Sequence, residues 1–335
     1  MAIPERVSAI SVADIVMYNE TLEISWTAVD GAENYRLDVS GDNGNSFKKV
    51  YNGTDTKYEF DVLKSNYSRI IFRVYAENAD GVSAFAESKE ITVIDWKIED
   101  TDNGTMYLQP FGLVIDSASS KIDDVPAVRE TAETIAGLDG EIPIDMKYSP
   151  RLFDLVTFMK GEFSSVKERE DFIRETSRHI NRSVREVRYL MYHGYLFGVK
   201  RTASAPQRFP NRINLDISLK AYDVFGYSPA QNVLYGDGVC VNDGDEVCYP
   251  TFILKDEQNN PTITVNGTDY QIAIDALDGD TIYIDCEKEI VIRERDEVRT
   301  YVSGAYYLDF PAFNVGENTV SGCYAVKWRN KMFAI

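Results

Sequence analysis

The chain has 335 residues, of which 44% are apolar and 12% aromatic, and it carries a formal net charge of −19 at pH 7. That length suits two or three domains with cores of their own, and the apolar content excludes intrinsic disorder. The longest apolar runs, such as residues 113–115 and 270–274, are too short to cross a bilayer, and the negative charge repels nucleic acid. A soluble protein that reads no nucleic-acid sequence and enters no membrane is expected. The first residues, Met1-Ala2-Ile3-Pro4-Glu5-Arg6, have neither the basic start nor the apolar stretch of a secretory signal. Cys240, Cys248, Cys286 and Cys323 are therefore expected as buried, reduced thiols rather than as two disulfides.

Twenty-one Tyr and sixteen Phe, with many short β-branched stretches, predict an all-β chain. In residues 1–93, Leu22-Glu23-Ile24-Ser25-Trp26 alternates as a half-buried strand does. Tyr35-Arg36-Leu37-Asp38-Val39 follows and ends at the turn Gly41-Asp42-Asn43-Gly44, and residues 58–60 and 70–76 add two more strands. Short strands with turns at this spacing predict a β-sandwich. Trp26, Tyr35, the run Val74-x-Ala76-x-Asn78, Gly81 and Ser83 together resemble a fibronectin type III domain. In that family Trp26 and Tyr35 are core residues. The family's corner tyrosine falls on Ile70 here, which leaves Tyr67 or packing alone to hold the corner.

Residues 94–229 read as strands, one helix and more strands. Residues 106–108, 111–115, 146–148 and 153–158 are strand-like, and 116–140 is polar and rich in turn residues. Ser165-Val166-Lys167-Glu168 is a capping box, and Val166, Ile173 and Ile180, with Phe172 and Thr176, predict one buried helical stripe. Strands at 187–192, 196–199 and 213–219 follow. Residues 230–335 read as a second sandwich, a meander in which Asn266-Gly267 is the strongest hairpin turn.

The second and third segments together resemble the distal tail proteins of long-tailed bacteriophages. The resemblance is carried by residues 136–140 and 147–153, the helix from Ser165, residues 217–227, and residues 281–285 and 309–320. Gly-Leu-Asp-Gly at 137–140 replaces the family's Gly-Arg-Asp-Gly-like turn, and Asp223-Val224 stands where it has Asp-Pro. The resemblance implies a ring-forming domain at 94–229 with one packed helix and a galectin-like sandwich at 230–335. It also implies a hexameric ring at the end of a tail tube. Such a ring joins the tube protein to a hub protein or tail-associated lysin, and offers docking surface to receptor-binding proteins. The chain would then be a virion component assembled in the host cytoplasm, with residues 1–93 on the outside, touching host surface polysaccharide or simply decorating the tip. An acidic wall also suits a lumen through which DNA slides.

Candidate interface residues on these motifs are Asp139, Tyr148, Arg151, Tyr222 and Asp223. A separate signal is a run of arginines at 169, 174, 178, 182, 185 and 188 in an acidic chain, of which Arg178 and Arg182 are candidates for contact with an acidic neighbour. Pairing with nearby glutamates in solvent is the plain alternative.

No catalytic residue and no cofactor is expected. His179 and His193 are the only histidines, neither lies in a ligand spacing, and there is no nucleophile elbow, phosphate loop or dinucleotide fingerprint. Between residues 230 and 297 stand 16 acidic and 4 basic residues. Their Asp/Gly turns read as ordinary connections between strands, with calcium binding through loop oxygens as the sharper alternative. The competing functional reading is a carbohydrate-binding module or adhesin for a bacterial surface polysaccharide.

Overall fold

A computed structural model describes residues 2–101, 103–122, 128–133, 142–159, 162–210, 212–255, 258–296, 298–303 and 310–333. Among these residues the fold is all-β apart from one long helix and one short helical turn. It divides into two compact units, residues 1–93 with 228–332, and residues 94–227 with 333–335.

The first unit contains two sandwiches. In the N-terminal one, Ile10–Ser11, Thr21–Trp26 and Lys57–Asp61 form one sheet. Lys48–Gly53, Asn34–Ser40 and Arg69–Asn78, with Ala86–Glu87 beyond, form the other. This strand order is that of a fibronectin type III sandwich. Leu22, Ile24 and Trp26 alternate inward as predicted, meeting Leu37, Phe72 and Val74 in one core. At the corner Ile70 is buried, and Tyr67 lies over Gly41, where an added Cβ would fall 2.0 Å from its ring.

The C-terminal sandwich packs a six-stranded sheet on a four-stranded one. Phe252, Ile282, Ile284 and Val326 of the first meet Ile263, Val265 and Val320 of the second. Asn266-Gly267 joins Thr262–Val265 to Thr268–Gln271, and both turn residues have positive φ, 52° and 78°, as that hairpin demands. All four cysteines are free and buried. Burial pushes the thiols of Cys240 and Cys323 up to about 11 and that of Cys248 to about 12.

Buried charge joins these two sandwiches. Arg69–Asn78 is buried on both faces over its middle, because Arg73 and Tyr75, which point away from the N-terminal core, are covered as well. Arg73 has no exposed surface. Its Nη2 lies 2.8 Å from Glu87 and 2.6 Å from Glu294, and its guanidinium sits between the rings of Phe47 and Phe85 at 3.8 and 3.9 Å. Arg299 donates to Glu294 at 2.7 Å and to the Asn43 carbonyl at 2.8 Å, and lies over the Tyr283 ring. Gly44, at φ 79°, makes room for it: a Cβ there would stand 2.3 Å from Arg299 Nη1. Arg329 adds a second tie, donating to Ser228 O at 2.9 Å and to Thr92 Oγ1 at 3.3 Å. Burial alone would push the Glu87 carboxyl up, but Lys327, Arg73 and Arg299 outweigh it and hold it below the ordinary 4.5.

In the second unit a sheet closes on itself. Ile91–Asp100 pairs with Met106–Gln109, which pairs with Leu113–Ile115, then Arg151–Met159, Ile213–Ala221, Tyr195–Arg208 and Arg188–Tyr192. The last strand returns to the first in parallel, Trp96 facing Leu190. The result is a seven-stranded barrel filled by Trp96, Leu108, Phe153, Phe197, Ile217 and their neighbours. The helix Val166–Arg185 packs on it. Ser165 caps it as predicted, accepting from Glu168 N at 3.1 Å, whereas Glu168 reaches back to Ser164 N at 2.9 Å instead of Ser165.

Three expectations are corrected. Val166 is 61% exposed, since the first helical turn projects past the core, while Ile173, Thr176 and Ile180 are buried. The strand expected at 196–199 runs on to Arg208, paired with Ile213–Ala221 at nine positions from Val199 to Arg208. Val128–Glu133, within the expected turn region, is a strand paired with Ile142–Tyr148.

Removing one carboxylate from the buried cluster leaves a desolvated guanidinium short of its counter-charge, a loss of about 3–5 kcal/mol. Glu294→Ala should therefore split the melting of the first unit into two transitions in calorimetry, where the unaltered chain gives one. Glu87 is held below its unfolded value, so its contribution is full above pH 4.5 and falls away as the pH drops through its lower folded value. The two transitions should separate in acid even in the unaltered chain.

Candidate assembly surface

Strands Arg151–Met159 and Ile213–Ala221 are in register from Arg151↔Ala221, so Tyr148 and Tyr222 leave the barrel at the same end. The turn after Ala221 is built on Asp223, whose carboxylate accepts from Phe225 N at 3.2 Å and from the Tyr227 hydroxyl. That closed turn leaves Tyr222 60% exposed, with the Lys220 ammonium 5.0 Å from its ring. Tyr148, 45% exposed, meets Phe225 and Phe333 edge-on at 6.1 and 5.4 Å, and those two rings stand 4.8 Å apart. Leu152, facing Lys220 across the ladder, is exposed too. Tyr148, Leu152 and Tyr222 thus place large apolar groups at one barrel end, where a monomer gains nothing from them.

The other candidates fall elsewhere. Asp139 lies outside the described residues. Arg151 is fully buried, with its guanidinium 4.9 Å from the Phe197 ring. A period-two reading would have found this, because Arg151 shares its face with Phe153, Leu155 and Thr157, all buried. The arginine run does not form one stripe. Arg169 donates to the carbonyls of Phe209 and Pro210, Arg174 pairs with Asp171 at 2.9 Å, and buried Arg188 pairs with Glu186 at 2.8 Å. Arg178 is exposed on the helix, whereas Arg182 is half-buried and acts on Asp95.

Asp95 is the group that the sequence reading missed. It has no exposed surface, and its carboxylate oxygens accept no hydrogen bond among the described residues. His179 Nε2 donates to its backbone carbonyl at 3.1 Å and stands 3.4 Å from Oδ1. Burial pushes Asp95 up to about 6 against the opposing pull of Arg188 and Arg182. Burial also holds His179 down at about 3, a neutral packing residue against Trp96 and Phe111.

Among the described residues no group of three or more His, Cys, Asp or Glu is placed to hold a metal ion. In the acidic C-terminal segment Asp280 is taken by Arg295 at 2.6 Å and by Leu277 N at 3.0 Å, and Arg295 holds its carboxyl down at about 2. Among the described residues no helix is long and apolar enough to cross a membrane.

No protein-family model and no curated protein matches the chain. Among solved structures it is similar to the Dit protein of phage SPP1, described as a paradigm of the hub adsorption apparatus in phages infecting Gram-positive bacteria. The TM-score is 0.50 at 11% identity, over 65% of this chain and 93% of that one. A chain of the phage P2 baseplate, in its activated conformation with Ca, aligns over 90% of this chain and 99% of its own at 8% identity and TM-score 0.41. The fibronectin-type structure FN3tt aligns over 28% and 97% at 19% identity and TM-score 0.23.

Asp95 is raised above its unfolded value of 3.8, so the stability it contributes is full below that pH and is lost as the pH rises through about 6. Asp95→Asn cannot ionise. Its stability relative to the unaltered chain in urea unfolding should rise from near zero at pH 4 to about 1–3 kcal/mol at pH 7.

Proposed function

We propose that the chain is a structural subunit of a phage tail tip, which assembles through its barrel into a hexameric ring between the tail tube and the hub or lysin below it. The observation that carries this reading is the fold shared with SPP1 Dit over nearly all of that protein. The order of motifs along residues 136–320 supports it independently. On this reading the exposed Tyr148, Leu152 and Tyr222 meet a second copy, since apolar groups gathered at one end gain most from a repeated contact. The acidic surface suits a conduit for DNA, and the chain is a virion component. Its role on this reading is holding neighbours, and His179 and the four cysteines are buried packing residues. Neighbouring tail proteins and receptor-binding parts would dock on the first unit.

Sedimentation with mass measurement tests the ring. A closed species of six chains is expected, and a monodisperse monomer at high concentration overturns the reading. Tyr222→Glu and Arg178→Glu should each shift that species towards monomer with unchanged circular dichroism. Arg182 is unsuited to the same test, because a carboxylate there would face Asp95 and disturb folding.

A further inference from the structure

The two sandwiches of the first unit enclose a groove of about 900 Å³, a volume at the upper end for small-ligand sites. Its floor is the outer face of the six-stranded sheet. Ala325 and Lys327 point there because Val326 and Trp328, their alternates, point into the core. Tyr235 and Tyr324 stand on this floor, 69% and 38% exposed, with ring centroids 6.1 Å apart at 79°. Backbone bonds on both sides fix Tyr324, whose N donates to Ile253 O at 2.9 Å and whose O accepts from Gly236 N at 2.9 Å. The walls are residues 6–10 and 85–89 of the N-terminal sandwich.

The charge of this groove opposes that of the chain. The whole sequence has 54 acidic and 35 basic residues. The groove is lined by four basic residues, Arg6, Lys89, Lys255 and Lys327, and by one acid, Glu87, which Arg73 engages at 2.8 Å and Lys327 at 3.8 Å, leaving Arg6, Lys89 and Lys255 as its cations beyond that cluster. Lys255 Nζ lies 4.1 Å from the Tyr324 ring. Burial would push the Tyr324 phenol up, but Lys255 and Arg6 hold it below its ordinary value. Beyond about 8 Å the remaining negative charge is screened at physiological salt, so an anion in the groove meets these cations first.

We propose that this groove binds an anionic glycan, a saccharide chain bearing carboxylate or phosphate groups. Exposed tyrosine faces take the C–H face of a sugar ring, their hydroxyls and the lysines take its polar rim, and the cations take its charged substituents. Two rings nearly perpendicular to each other make a poor platform for successive nucleic-acid bases, which stack in parallel. An acidic peptide would leave the tyrosine faces unused. The clamp through Arg73, Glu87 and Glu294 holds the 85–89 wall against the sheet that forms the floor, so that side of the site is set before the ligand arrives. This inference rests on the first unit alone and stands or falls apart from the ring.

Calorimetric titration of the full chain tests it, with oligogalacturonate as the carboxylate probe and phosphomannan fragments as the phosphate probe. Neutral mannan, oligo(dT) and polyglutamate serve as controls. Saturable binding of one or both anionic glycans is expected, weakening as salt rises, and which of them binds distinguishes carboxylate from phosphate. Tyr235→Ala, and separately the pair Lys89→Gln and Lys255→Gln, should each weaken it by about tenfold or more at an unchanged melting temperature. The proposal is overturned if neither anionic glycan binds saturably, if any control binds as tightly, or if the variants bind like the unaltered chain.

Discussion

A guanidinium stripped of water must be given its counter-charges by the fold, and the first unit is arranged around that requirement at Arg73. Glu87 comes from the last strand of the N-terminal sandwich, but Glu294 comes from a strand more than two hundred positions away in the chain. Phe47 and Phe85 close over the two faces of the guanidinium and exclude solvent. Either sandwich alone would leave part of this cluster unpaired, and an unpaired buried charge costs more than a well-packed apolar contact returns. The cluster therefore does more to specify which surfaces meet than to add stability, and the groove beside it inherits a fixed shape.

The second unit meets a different constraint. A sheet whose inner face is filled by Trp96, Phe153 and Phe197 must also satisfy its edge strands, and closure through the parallel contact of Ile91–Asp100 with Arg188–Tyr192 does so. The helix then covers part of the barrel, burying His179 in neutral form. Once the interior is complete, what remains for assembly is the barrel end where Tyr148, Leu152 and Tyr222 are left in solvent.

Local signals were legible where local physics decides. Asn266-Gly267 made its hairpin because both residues accept positive φ, and Ser165 capped its helix because its hydroxyl reaches a free backbone donor three residues on. Trp26 and its alternating neighbours were readable as one face of a strand. Of the candidate interface residues, Tyr148 and Tyr222 stand on the surface and Asp223 holds the turn that exposes Tyr222. Arg151 and Arg182 were misjudged for one reason: charge suggested surface, while strand alternation and helix phase turned them inward.

By itself the sequence determined the all-β class, the sandwich at its start, the capped helix and the tightest turn. Each follows from side-chain periodicity or from the backbone preference of one or two residues. Only the tertiary structure decided that the barrel closes, that Val128–Glu133 is a strand, that Asp95 and Arg73 are buried charges, and that four scattered cations line one groove. Those features depend on partners tens to hundreds of positions apart, and no local pattern encodes which distant strand completes a hydrogen-bond ladder or a charge pair.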